Sequence, residues 1–144
     1  GRIGITHLVH GRYSNETKQT LINTANSDTM NTPILIETGV AAAGDLLFQE
    51  WRQQLQGYRV YRSKAIKSKP DRATPLKNGI LDGRFFIDLP PGQVELINSE
   101  LRSFPDGVHD DIIDATAYGY IYLQKRLRGK REVRSALLHT GRRR

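Results

Sequence analysis

The sequence predicts an α/β domain. Three observations predict it: short apolar or alternating runs that read as strands, longer stretches with apolar residues three and four apart that read as helices, and the alternation of the two along one chain. RIGITHLV (2–9) alternates as a strand, and Gly11-Arg12-Tyr13 closes it. Ser14 is placed to cap a helix running to about Asp28, with Glu16 in its first turn and Leu21, Ile22 and Ala25 on one side. Asn31-Thr32-Pro33 breaks that helix, and ILIET (34–38) follows as a short apolar run, the pattern of a buried central strand. In AAAGDLLFQEWRQQLQ (41–56), Leu47, Trp51 and Leu55 recur at i+4, predicting a helix with Trp51 in the core and Gly57 as its terminator.

YRVYRSKA (58–65) alternates as a strand with basic residues on its polar side, and SKPDRATPLKNG reads as a loop with a helical turn from Pro70. RFFIDL (84–89) is a strand stopped by Pro90-Pro91; 92–103 is a helix with Val94, Ile97 and Leu101 inward. A long helix over 107–127 completes the domain (1–127), and 128–144 is expected to be a loose basic tail.

With 144 residues, 38% of them hydrophobic, the chain has enough material for one globular core. No apolar run approaches the ~20 residues of a membrane span, and no secretory signal opens the chain. There is no cysteine, which excludes disulfides and thiolate zinc sites and makes a cytoplasmic setting the expectation. The net charge of +7 favours a polyanionic partner, nucleic acid before a membrane surface.

Against this basic background FPDGVHDDIIDATAYGYIYL (104–123) gathers Asp110, Asp111 and Asp114 behind His109. On a helix the three acids fall within an arc of about 100°, while Ile112, Ala115, Gly119 and Leu123 form another side suited to packing. Capping explains one or two acids at a helix start, each contributing about 0.3–1 kcal/mol through the helix dipole. Three beside a histidine exceed that need, and both readings stand on this segment alone. Glu37, at the end of the ILIE run, adds a carboxylate where a central strand has no structural use for one. Buried acids are costly unless paired or bound to metal. A strand-end acid facing helix acids, all oxygen donors, suits Mg²⁺ or Mn²⁺ better than zinc.

ILIETG, SKPDRATPL, GRFFIDLP and ELRSFPDGVHDDIIDA, in this order, resemble the C-terminal nuclease domain of the phage terminase large subunit, over about residues 3–125. The resemblance implies a ribonuclease H-like fold, a mixed central sheet flanked by helices, that cleaves concatemeric double-stranded DNA during viral genome packaging in the bacterial host cytoplasm. It matches Glu37, Asp110 and Asp111 to metal-holding, catalytic acids, with His109 and Asp114 as flanking, accessory positions. Two divalent ions about 3.5–4 Å apart would then activate water and stabilise the leaving oxygen. In that family the partners are an ATPase motor domain, a portal and a small terminase subunit; this chain has no GxxxxGK[ST] phosphate loop and so no ATP site. The family's first strand, with its Asp, is expected to be missing here, which would leave cleavage weak.

Arg59, Arg62, Lys64, Lys67, Lys69 and Arg72 lie within fourteen residues. They read either as a solvated edge or as a track for the DNA backbone, with Lys69 and Arg72 foremost because the resemblance includes them. Tyr58 and Tyr61 stand among them, available for base stacking or for packing. The alternatives are a junction resolvase or transposase-like nuclease of the same fold, and a non-catalytic basic DNA-binding module.

Overall fold

The computed structural model describes residues 1–11, 16–64, 67–107 and 109–140. Its elements run β1 (Ile3–Ile5), α1 (Thr17–Ser27), β2 (Pro33–Thr38), α2 (Ala42–Gln54), β3 (Arg59–Lys64), α3 (Lys69–Leu81), β4 (Phe85–Ile87), α4 (Pro91–Ser103) and α5 (Asp111–Thr140). The class is α/β, as the alternation predicts. The expected single mixed sheet is replaced by two parallel pairs among the described residues, β1 with β4 and β2 with β3. Helical crossovers between strands bring the chain back in the same direction, which makes each pair parallel. The chain divides into two compact units, one formed by Gly1–Leu8 with everything from Lys69 onward, the other by Val9–Ser68.

In the first unit Ile3, Gly4 and Ile5 pair with Phe85, Phe86 and Ile87. Ile3, Leu76, Ala117 and Tyr120 form one buried cluster with Phe85 against it; Ile97, Ile112 and Ile113 form another with Ile5, Leu8, Ile87, Leu89 and Phe104. The inward face of α5 is thus Ile112, Ile113, Ala117 and Tyr120. Of the expected side through Ile112, Ala115, Gly119 and Leu123, Ile112 is buried as expected, whereas the other three centre roughly 100° around the helix from the inward face, and Ala115 and Leu123 are exposed.

Two further expectations differ from the structure. The segment from Lys69 is a full helix, with Pro70 in the first turn where no partner is lost and Arg72, Leu76 and Gly79 buried at i, i+4 and i+7. Gly79 is required there, since a Cβ would clash with the ring and hydroxyl of the buried Tyr120. The last helix starts at Asp111 and runs to Thr140, so part of the expected tail is helical; 128–140 contains no proline and many good helix formers. The last four residues, 141–144, lie outside the described residues, as does Ser14, the expected cap of α1.

The second unit is a βαβ unit with α1 added, β2 and β3 being paired from Pro33–Arg59 to Thr38–Lys64. On α2 and at its C-terminal cap the inward residues are Gly44 and Leu55, with Phe48 and Trp51 partly buried, whereas Leu47 is 43% exposed. The expected Leu47-Trp51-Leu55 stripe is therefore shifted, and Trp51 is at the border of the core. Gly57 does end the helical segment, at φ 94°, a backbone angle that disfavours any residue with a Cβ. Among the described residues no helix is long and apolar enough to cross a membrane.

Candidate functional site

Helices α3 and α5 of the first unit bring four charged side chains together. Lys69 and Arg72, one turn apart on α3, meet Asp110 and Asp114, one turn apart at the start of α5. Lys69 Nζ lies 2.6 Å from Asp110 Oδ2, and Arg72 Nη2 lies 2.9 Å from Asp114 Oδ2. Arg72 Nη1 also donates to the Tyr118 hydroxyl at 2.7 Å, with its guanidinium 5.3 Å from that ring centre. Asp110, Asp114 and Tyr118 thus form one i, i+4, i+8 row facing the α3 cations.

Burial separates the two pairs. The side chains of Arg72 and Asp114 are 8% and 14% exposed, while Lys69 is 46% exposed over a buried Asp110. Burial pushes the Asp114 carboxyl above its ordinary range; Arg72 offsets this in part, and the nearby charge of Asp110 adds to it. Hydrogen bonding to Asp110 holds the Lys69 ammonium above its own ordinary range. Asp114 Oδ1 is buried without a hydrogen-bond partner among the described residues.

The start of α5 is capped by a residue that the sequence reading missed. Glu100, buried on α4, accepts from the backbone N–H groups of Ile112 and Ile113 through Oε2, at 2.9 and 3.1 Å. These are the donors that a residue at the helix start would ordinarily satisfy. Leu101, expected inward, is exposed instead. The signal was available: Ile97 and Glu100 are three apart, so an inward Ile97 carries Glu100 with it. The expected stripe runs through the neighbouring Leu101 instead.

The other expected site residues are distributed as follows. Asp111 and His109 are exposed, outside the four-charge array. Asp114, expected as an accessory, shares the array with Asp110. Glu37 belongs to the other unit and is exposed on β2, so it is not the buried strand acid that its apolar neighbours suggest. Arg72 is buried and committed to Asp114 and Tyr118, which removes it from a phosphate-binding surface. Arg62 likewise turns inward. It donates to Thr38 Oγ1 at 2.5 Å and the Gly39 carbonyl at 2.8 Å, pairs with Asp45, and lies over the Phe48 ring. That pairing holds the Asp45 carboxyl below its ordinary range. Lys64 and Lys67 remain exposed.

Among the described residues no three His, Asp or Glu side chains converge as metal ligands. Asp110 and Asp114 nevertheless fit a hard cation in part: they are oxygen donors, one buried oxygen lacks a partner, and the cation now beside Asp110 is a half-exposed lysine. Mg²⁺ is commonly held by one or two carboxylates, with waters and substrate phosphates completing its shell. No protein-family model, curated protein or solved structure matches the chain.

Proposed function

We propose that the chain is a divalent-metal-dependent endonuclease domain acting on double-stranded DNA, ribonuclease H-like and of the kind found in phage terminase large subunits. One observation carries the reading most directly. Glu100 already accepts from the amides of Ile112 and Ile113, so those two donors do not account for Asp110 and Asp114, of which Asp114 is disfavoured as a charge chiefly by burial and further by Asp110.

Asp110 and Asp114 would hold Mg²⁺ or Mn²⁺, with waters and substrate phosphates completing the shell. When bound, the metal supplies an activated water and charge stabilisation at the scissile phosphate. Lys69, freed from Asp110, would place its ammonium on the DNA backbone, and Arg72 would fix the orientation of Asp114. Exposed Arg59, Lys64 and Lys67 would add sequence-independent attraction.

A second reading is favoured by the pairing itself: Lys69–Asp110 and Arg72–Asp114 would be a purely structural clamp between α3 and α5. Calorimetric Mn²⁺ titration and plasmid nicking separate the two. On the nuclease reading, Asp110→Asn weakens Mn²⁺ binding and lowers nicking by about 100-fold or more, the scale of losing a transition-state charge contact. Mn²⁺ binding that is absent, or unchanged in Asp110→Asn, leaves the clamp.

A further inference from the structure

We propose that the groove between the last turn of α2 and the start of β3 binds single-stranded nucleic acid, with a base stacked on Tyr61 and phosphates held by Arg52 and Arg59. The site lies wholly in the second unit and does not rest on the α5 acids. Its volume is about 360 Å³ and its lining includes Arg52, Gln56, Tyr58, Arg59 and Tyr61, with no carboxylate. That volume lies in the range of small-ligand sites, about 300–1,000 Å³.

Among the described residues several arginines are spent on carboxylates, and the two that line the groove are not. Arg62, Arg72, Arg84 and Arg102 are each tied to a carboxylate. Arg52 and Arg59 are exposed and form no ion pair among the described residues. Their charge is therefore uncompensated beside a concave surface, the condition under which an anion is attracted.

Strand geometry supplies the second half of the site. Arg59 and Tyr61 are both exposed on β3 with partly buried Val60 between them, so they share one face, roughly 7 Å apart along the strand. Tyr61 is 40% exposed. Tyr58 donates its hydroxyl to Asn26 Oδ1 at 2.6 Å and forms a fixed wall of the groove; Tyr61 is the platform because it is the more exposed ring and shares its face of β3 with Arg59. An aromatic ring beside unpaired guanidinium groups is the combination that binds single strands with little sequence preference. Bases in a duplex are stacked on each other and cannot reach such a ring, so the occupant is an unpaired strand.

The test is fluorescence polarisation of an end-labelled oligothymidylate, about ten nucleotides long, titrated with the full chain in EDTA. Tyr61→Ala should weaken binding by about 5- to 100-fold, the range for one stacked base, while Tyr61→Phe retains it. Arg52→Ala and Arg59→Ala should each weaken binding and flatten its salt dependence by about 0.7 in the log–log slope. Arg102→Ala should change nothing, since Arg102 is paired with Glu95 and does not line the groove; EDTA keeps the result separate from the fate of the nuclease reading. Oligouridylate binding with the same Tyr61 dependence would support the site and show that the sugar is not read. The proposal is overturned if Tyr61→Ala binds like the unaltered chain, or if a duplex of equal length shows the same dependence on Tyr61. It is equally overturned if thymidine monophosphate binds as tightly as the oligomer.

Discussion

Replacing Arg72 with methionine is expected to lower stability by about 3–5 kcal/mol at neutral pH, read from urea unfolding. This is the usual cost of removing one partner of a buried ion pair and leaving the other charge uncompensated. Arg72 serves both Asp114 and Tyr118, and the side chains on both sides of the ion pair are largely removed from water. Methionine keeps much of the apolar stem, so the loss reports charge more than volume. The pH dependence has a definite sign. Burial raises the folded-state pKa of Asp114, so the folded protein holds that proton more tightly than the unfolded chain. The stability linked to it is present in acid and is lost as pH rises through the raised value. Without Arg72 the raised value climbs further, so the deficit should be deepest at neutral pH and shrink toward acid. Adding Asp114→Asn to Arg72→Met should restore most of the loss. A deficit that ignores both pH and Asp114→Asn would mean that Arg72 acts by packing alone.

Glu100→Ala should destabilise the chain by about 2–3 kcal/mol, the combined scale of a lost helix cap and of buried donors left unpaired. One carboxylate oxygen serves the amides of both Ile112 and Ile113, whose side chains sit in the core cluster with Ile97. Asp110 cannot easily take over, because its carboxylate is engaged by Lys69. Glu100→Gln keeps an acceptor oxygen and should lose less than half as much. Equal unfolding midpoints for Glu100→Ala and the unaltered chain would refute the capping role.

The regions where sequence and structure agree are those governed by local chemistry. ILIET became a strand because a β-branched, apolar run between breakers has few other uses, and Gly57 and Pro90 end their segments through backbone constraints that act residue by residue. Faces were harder to read. On α2, α4 and α5 the expected inward side is right at Leu55, Ile97 and Ile112 but wrong at Leu47, Leu101 and Leu123, because several apolar residues lie at helical spacing and only tertiary packing chooses among them. The pairing of strands was not legible either, since it depends on contacts between residues far apart in the chain.

In the site, the crowding of Asp110 and Asp114 was visible from spacing alone. Their partners were not. Arg62 and Arg72 carry the same charge as their exposed neighbours, and nothing local distinguishes an arginine that turns inward to a carboxylate from one that faces water. Glu100 was hidden for the opposite reason, since acids are assumed to be outside and this one is buried because two amides compensate it.

That cap has a consequence for the hydrogen-exchange behaviour of the chain. The opening amides of a helix normally exchange fast, because fraying of one turn exposes them without disturbing anything else. Here the amides of Ile112 and Ile113 are bonded to a side chain on α4, so the first turn of α5 cannot release them while Glu100 stays in place. Their deuterium uptake should follow the separation of α4 from α5. Both helices would then register as one cooperative exchange unit, with its slowest protons at an end where most helices show their fastest.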